Sequence, residues 1–559
     1  MQNCPDLCRG FFVVMYIYSS IKITMKYPTL VALSLLFVNS LLAQIPVAWA
    51  QRYNAPPDNA DEARSIALDG SGNVYVTGSA FNSSGNLDMV TVKYSATGQF
   101  QWVQNYDRGN DNDEAFKLVV DASGNVYITG YSKGNNGPDI TTIKYDTQGS
   151  LQWVVHHNGA GNSLDQGNAI ALDASNNVIV CGYETTSNFT TDLVIIKYDN
   201  NGTQLWNVVY NGQASGEDVA NDLTTDSQGN VYVVGSVQNA TNNSDYAIFK
   251  YSSAGSQQWL QFYNGPSNDN DFGKAITLDA SSNILVTGYS FQTNNWFDFL
   301  TLKYTTAGVL DWTARYNNAA NRYEEANDIV TDPSGNVYVT GQSQAIGNNS
   351  TPADYATVKY DATGTQLWIS RYDGGVNADD RAYAIALDDS LNVYVTGYSI
   401  ANTTSDYVTI KYNSQGNIIW NMRYDGPAGN SDQAAAMAVN SINGDVHVTG
   451  KSANNTNDDF LTIKYSYAAV GIEDLNSVNA FELYPNPNNG TFFIDISNLS
   501  QEGVVLEVLN PIGQVVFSNQ FSSADQIKIN LNTLPSGVYF ARLLTDSNSI
   551  IGLKKLIIK

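Results

Sequence analysis

The sequence predicts an all-β chain: an eight-bladed β-propeller of four-stranded blades, followed by a small immunoglobulin-like β-sandwich. Three observations carry that prediction. A ten-residue unit, Asp332-Pro333-Ser334-Gly335-Asn336-Val337-Tyr338-Val339-Thr340-Gly341, recurs with small edits from Asp69, Asp121, Asp173, Asp226, Asp279 and Asp388, and with one inserted residue from Asn440. Self-similarity at a period of about fifty residues marks a propeller, solenoid or array. Helix-favouring runs are nearly absent, while Gly, Asn, Ser and Thr are abundant and strands end in glycine or Asx residues. After Tyr467 the repeat stops and a different alternation of apolar and polar residues begins.

Residues 1–24 carry no recognisable signal, and Met25 reads as an alternative start. From Met25 the chain has a charged n-region, an apolar run from Leu30 to Val38, and Ala43 before Gln44. That is the grammar of a cleaved secretory signal peptide over residues 25–43, leading through the periplasm. A membrane anchor from Phe11 to Leu42 is the competing reading, and Lys22 and Lys26 interrupt it. Cleavage removes Cys4 and Cys8. Cys181 then remains alone in place of a repeat threonine, where a small buried filler is expected.

Residues 44–467 hold the repeats. Each unit opens on a tryptophan (Trp49, Trp102, Trp153, Trp206, Trp259, Trp312, Trp368, Trp420), with tyrosine four residues on except for His157. Even spacing puts both rings on one face of a strand. A polar loop, a short apolar strand, the ten-residue unit and a strand of the form Asp-x-x-Thr-x-Lys-Tyr follow. Four strands with both faces apolar or aromatic fit one propeller blade. The Thr-Gly glycines (Gly78, Gly130, Gly182, Gly235, Gly288, Gly341, Gly397, Gly450) number eight, as do the Lys-Tyr pairs. The chain enters on a lone Trp strand and leaves after a Lys-Tyr strand. The first strand is therefore expected to complete the last blade and close the ring.

Asp-x-Ser-Gly-Asn-Val-Tyr-Val-Thr-Gly with its downstream Lys-Tyr and Trp resembles the SBBP family of bacterial β-propeller repeats over roughly residues 48 to 467. That family name implies seven blades, whereas the units here count eight. After a linker at 468–479, residues 480–559 show alternating strands at Thr491 to Ile496, Val504 to Leu509, Gln514 to Phe517, Gln526 to Leu531 and Val538 to Leu544. Tyr484-Pro485-Asn486-Pro487, Gly490, Asn510-x-x-Gly513, Leu534-Pro535-Ser536-Gly537-Val538-Tyr539 and a basic, apolar last turn resemble the type A C-terminal sorting domain of the type IX secretion system of Bacteroidetes. The resemblance implies that residues 480–559 engage the secretion machinery and direct the protein into the medium or onto the outer-membrane surface. An ordinary carbohydrate-binding sandwich is the competing reading.

The formal charge is −25. Such a surface repels nucleic acid and anionic lipid headgroups, so neither is expected as a partner. A monomer is expected. No catalytic residue is assigned. Gly130-Tyr131-Ser132-Lys133-Gly134 matches a nucleophile elbow, but the same Gly-x-Ser recurs in other units and no helix follows. His156, His157 and His447 make no metal spacing.

Two sets of acids are more regular. Five positions before each inner apolar strand stand Asp61, Asp113, Asp165, Asp218, Asp271, Glu324, Asp380 and Asp432. Five before each repeat lysine stand Asp88, Asp139, Asp192, Asp245, Asp298, Asp354, Asp406 and Asp459. With the short strand innermost, both sets fall in loops on one face. Capping of loop amides is the plainer role. The bolder expectation puts the first set around the channel with neighbours about 6 Å apart. Each pair then repels by roughly 0.7 kcal/mol in water and about 3 kcal/mol at an effective dielectric near 20. No motif requires a cofactor, and calcium is the ion such a ring would suit.

Departures from symmetry mark candidate ligand contacts: Trp296, out of register with the other tryptophans, Phe291 and Phe297 beside it, and Phe81 and Phe189 in similar loops. The loop between Gly341 and Asp354 is also the longest of its kind. The sequence therefore reads as a secreted or surface protein that binds an extracellular glycan or protein without catalysis. A secreted polysaccharide or peptide hydrolase with a propeller scaffold is the alternative.

Overall fold

The repeats form eight four-stranded antiparallel sheets: the tryptophan strand of each unit is the outer strand of one sheet, and its other three strands begin the next. The computed structural model describes residues 47–466 and 481–559, less 57, 110, 135–136, 213, 215, 293–295, 319–321, 345–351, 376–377, 402, 497–502, 511–514, 522–525 and 546–549. The expected N-terminal extension, signal peptide and linker lie outside the described residues, as does most of the loop between Gly341 and Asp354. Among the described residues there is no helix.

Blade 1 comprises Asp61–Leu68, Val74–Phe81, Leu87–Tyr94 and Phe100–Tyr106. Blades 2 to 8 begin with inner strands Asp113–Val120, Gln166–Leu172, Val219–Thr225, Asp271–Leu278, Glu324–Thr331, Asp380–Leu387 and Asp432–Val439. Successive inner strands pack on one another, and the first packs on the last. Blade 8 takes its outer strand from the start of the ring: Val47–Tyr53 pairs antiparallel with Asp458–Tyr465, from Val47 opposite Tyr465 to Tyr53 opposite Phe460. The ring closes as the unit count requires.

The repeated residues each have a task. Asp332 Oδ1 accepts the backbone amides of Ser334 and Asn336 at 2.9 and 3.0 Å, folding the turn between the first two strands. Its Oδ2 takes the Asn336 side chain at 2.7 Å and the Tyr338 hydroxyl at 3.0 Å. Lys359 Nζ sits 4.8 Å above the Tyr338 ring. Lysine and tryptophan then tie each blade to the next. Trp312 Nε1 and Lys303 Nζ of blade 5 both donate to the Ala362 carbonyl of blade 6, at 3.0 and 3.3 Å. The same pair of bonds joins Trp102 and Lys93 to Thr147, Trp153 and Lys144 to Asn200, and Trp206 and Lys197 to Ser253. Across the seam, Trp49 and Lys464 meet the Ala96 carbonyl at 3.3 Å each. Between blades lie apolar clusters such as Tyr338 and Tyr355 against Val393, Val395 and Ile410. Cys181 is buried in one of them as a filler between blades 3 and 4.

The C-terminal unit is a two-sheet sandwich. One sheet joins Glu482–Tyr484, Thr491–Asp495 and Gln526–Asn530; the other orders Val515–Phe521, Val504–Leu509, Gly537–Thr545 and Ile550–Ile558. Phe492, Ile494, Leu506, Val508, Leu543 and Leu556 form its core. The sequence pattern reads the terminal basic stretch as a turn, but it is a strand, with Leu556 and Ile558 inward. Asn486 fastens it: its side chain donates to the Lys555 carbonyl at 2.6 Å and accepts the Ile557 amide at 2.8 Å.

Candidate functional site on the loop face

The face where the inner strands begin carries both acid sets. The first set does not sit in loops five residues ahead of the strand. Asp61, Asp113, Asp271, Glu324, Asp380 and Asp432 are the first residues of their inner strands, and Asp165 and Asp218 precede theirs by one. A bulge in every inner strand, such as that between Ala326 and Asp328, breaks the apolar pattern and makes the strand look shorter than it is. All eight carboxylates are buried. Asp61, Asp165, Asp271, Asp380 and Asp432 accept the backbone amides of Ala55, Gly159, Gly265, Gly374 and Gly426 at 2.5–2.7 Å. Asp113, Asp165 and Asp218 also accept the amides of Lys133, Thr185 and Gln238 at 2.7–2.9 Å. These acids hold the incoming loop against the end of the second strand.

The register sets one polar row across each of blades 5 to 8: Asp271, Ser290, Asp298; Glu324, Ser343, Asp354; Asp380, Ser399, Asp406; Asp432, Ser452, Asp459. An arginine from the outer strand closes three rows onto the second acid. Arg371 meets Asp354 at 2.7 Å, Arg423 meets Asp406 at 2.7 Å and Arg52 meets Asp459 at 3.1 Å. In blade 5, Arg315 reaches Ser290 at 3.0 Å.

Burial pushes several of these acids up. Asp61, facing Asp459 and Asp58, rises to about 7. Asp165, beside Glu184 and His157, and Asp271, beside Asp245 and Arg315, rise to about 6. Glu324, against Asp298, rises to about 9 despite Arg371. The turn aspartates go the other way. Burial raises Asp226 and Asp388, but hydrogen bonds from Asn230 and Tyr232, and from Asn392 and Tyr394, outweigh it and hold both below the usual range. A carboxyl raised in the folded state binds its proton there first, so its contribution is full below the unfolded value of about 4 and fades as pH climbs through the folded one. A depressed carboxyl contributes above about 4 and is lost below. The melting temperature of the propeller should therefore rise as pH falls from 8 to about 5, then drop steeply below about 4. Calorimetry over that range checks it, and a melting temperature that climbs steadily to pH 8 would contradict the assigned shifts.

The candidate aromatics are not equivalent. Phe291 and Phe297 join a cluster that no other blade repeats among the described residues. Phe297 lies 5.0 Å from Phe291 and Tyr289, 5.7 Å from Tyr323 and 6.2 Å from Phe272. Arg322 stands 5.4 Å over the Trp296 ring, and Lys274 lies 5.6 Å from the Tyr289 ring. All of these rings are half-buried. Sequence reasoning found Trp296, Phe291 and Phe297 and missed Phe272, Tyr289 and Tyr323, which arrive from neighbouring strands and the next blade. Phe189 stands apart at a turn tip, 81% exposed and at φ +64°. Phe81 lines a cleft of about 170 Å³ at the blade 8–blade 1 seam, with Arg64, Lys451 and Asp458.

Ser132 is fully buried inside the strand Val126–Gly134. His156 lies 3.4 Å from it and 2.9 Å from Thr141, and burial pushes its imidazole down to about 4. His157 pairs with Glu184 at 2.8 Å, and His447 is buried beneath Trp49.

Comparison with known proteins agrees with this architecture. A model of the SBBP β-propeller repeat matches residues 48–83, 101–138, 311–348 and 369–402, and a model of the secretion system C-terminal sorting domain matches residues 482–559. An uncharacterized WD repeat-containing protein of Acanthamoeba polyphaga mimivirus is 22% identical over 441 residues, covering 60% of this chain and 29% of that protein. An endo-acting ulvan lyase of Formosa agariphila is 26% identical over 278 residues, covering 46% of this chain and 51% of that protein. The chain thus spans 29% of the length of the first of these relatives and 51% of the second. Among solved structures, Chaetomium thermophilum Sqt1 aligns with a TM-score of 0.48 at 8% identity, over 74% of this chain and 96% of that one. The polysaccharide lyase Uly1 aligns at 0.42 and 12% identity, over 65% and 92%. The chain is a β-propeller of SBBP repeats that ends in a type IX secretion system C-terminal sorting domain.

Proposed function

We propose that the propeller is a binding module, delivered outside the cell by its sorting domain, and that it holds an extracellular glycan by stacking on the aromatic cluster of blades 5 and 6. The carrying observation is that cluster. Elsewhere on the loop face seven of the eight inner acids are spent on backbone latches, whereas Phe272, Tyr289, Phe291, Phe297 and Tyr323 gather next to Trp296 once among the described residues. Half-buried rings flanked by Lys274 and Arg322 offer apolar faces and donors together, which suits the faces and hydroxyls of a sugar. A net charge of −25 disfavours polyanionic chains, so neutral glycans are the favoured class. The purified protein should bind a subset of neutral glycans on an array, and Trp296→Ala with Tyr323→Ala should weaken that binding at least tenfold. Unchanged binding by the double variant would remove the cluster from the reading. The ulvan lyase relative favours a second reading, cleavage of a polysaccharide. Release of shortened chains from a panel of polysaccharides would decide for it.

Export has its own test. Truncation after Gly471 removes the sorting domain, and the protein should then accumulate in the periplasm of its own host at the expense of the medium and surface. Undiminished appearance outside the cell would refute the route.

A further inference from the structure

We propose that the protein binds two calcium ions at the boundaries of blade 6 with blade 7 and of blade 7 with blade 8, each held by an aspartate triad. In the first triad the carboxylates of Asp354, Asp373 and Asp380 converge; in the second, those of Asp406, Asp425 and Asp432. In each, one ligand atom per residue lies within 4.8 Å of the other two. The acids come from three elements: the third strand of one blade, the residue after its outer strand, and the first residue of the next blade's inner strand.

A cluster of acids alone would not carry this. The second observation is that the triads hold buried oxygens with no partner. Asp432 is fully buried, and its Oδ1 has no partner of good hydrogen-bond geometry; the same is true of Asp406 Oδ1, in a side chain almost as deep, and of one oxygen each in Asp61, Asp271, Asp298, Glu324 and Asp459 elsewhere in the ring, so what sets these two boundaries apart is the third carboxylate that converges there. Asp380 Oδ1 repeats it in the first triad. Leaving buried carboxylate oxygens bare is costly, and a cation is the partner that three convergent carboxylates suit. Charge agrees. Each triad contains three carboxylates and one arginine, Arg371 on Asp354 or Arg423 on Asp406, leaving a net charge of about −2 that one divalent ion balances. All donors are oxygen, and Asp373 and Asp425 are exposed, so the site opens to solvent that can complete the shell of six to eight oxygens calcium takes.

The other blades supply the control. Where these two carry Asp373 and Asp425, five others carry Asn54, Asn158, Asn211, Asn264 and Asn317, and the eighth carries Asp107, which forms no such triad among the described residues. Asp373→Asn and Asp425→Asn therefore install a residue that this fold already accepts at the same place. Chelator-treated full chain at pH 7.5 should take up two calcium ions by titration calorimetry and melt higher with calcium than with sodium chloride of equal ionic strength. Each single variant should lose one ion, and the double variant should lose both, together with the rise in melting temperature, while melting like the wild type without calcium. Absence of calcium uptake by the wild type, retention of both ions by the double variant, or an equal rise with sodium chloride would overturn the proposal.

Discussion

Deleting residues 44–53 should lower the melting temperature of the propeller by roughly ten degrees or more and broaden its transition. The segment removes the whole outer strand of blade 8, and with it the ladder from Val47–Tyr465 to Tyr53–Phe460. Arg52 goes too, a side chain that bonds the Ser452 carbonyl at 2.7 Å and pairs with Asp459 at 3.1 Å. Trp49 is the larger loss, because it spans the seam. Its ring lies 6.0 Å from Tyr94 of blade 1 and 5.7 Å from His447 of blade 8, and its indole N–H bonds Ala96. Without them blade 8 is a three-stranded sheet with a bare edge, and blades 1 and 8 meet through the inner strand of blade 1 and the Lys464–Ala96 bond alone on the outer side. Thermal melts of the deletion and of Trp49→Ala should rank in that order, with wild type highest. A deletion that melts like the wild type would mean the ring is not closed through this strand.

What the sequence revealed follows from how each residue is used. The repeat was legible because its Asp, Asn, Tyr, Lys and Trp all contact one another at fixed spacings within a blade or one blade on, so selection on packing leaves a visible period. Closure was legible because a lone Trp strand at one end and a missing one at the other can only be complements. The site was less so. The inner acids look like loop residues because the bulge at Ala326 and Asp328, and its equivalents, interrupts the alternation that would have marked the strand as starting at Glu324. Trp296 stood out by register, but Tyr323 belongs to the approach to the next blade and Phe272 to a strand two connections earlier, so only the folded ring brings them together. Asp373 and Asp425 were visible merely as aspartates where five other units have asparagine and one has Asp107. That difference acquires chemical meaning once Asp354 and Asp380, or Asp406 and Asp432, are seen around them. In the sorting domain, Lys554-Lys555 broke the pattern of the final strand, although Leu556 and Ile558 point inward beside it.

Gly341→Ala should destabilise the propeller by about 3 kcal/mol or more, a larger effect than any other single methyl addition in the repeat. The reason is not backbone freedom, because this glycine is absent from the left-handed region. It is the bulge opposite. Where the inner strand takes its extra residue between Ala326 and Asp328, the Glu325 carbonyl turns onto Gly341, and an added Cβ would fall on that oxygen, with the Ala326 Cα only 2.8 Å away. Both obstacles are backbone, fixed between blades, so no rotamer change relieves them. The same overlap is found at Gly78, Gly130, Gly182, Gly235, Gly288, Gly397 and Gly450, which explains why glycine ends the ten-residue unit in every blade. Gly335, six residues earlier, is the informative contrast. It does adopt φ +78°, but a Cβ there meets only the Ala362 side chain at 3.4 Å. Asn176, Ser282 and Leu391 occupy the equivalent turn position at φ +58° to +61°. Gly335→Ala should therefore lose only about 1–2 kcal/mol, the ordinary strain of a side chain in the left-handed region. Urea denaturation of the two variants compares them directly. Should Gly335→Ala prove the more damaging, the glycine at the strand end would be there for some reason other than the bulged carbonyl.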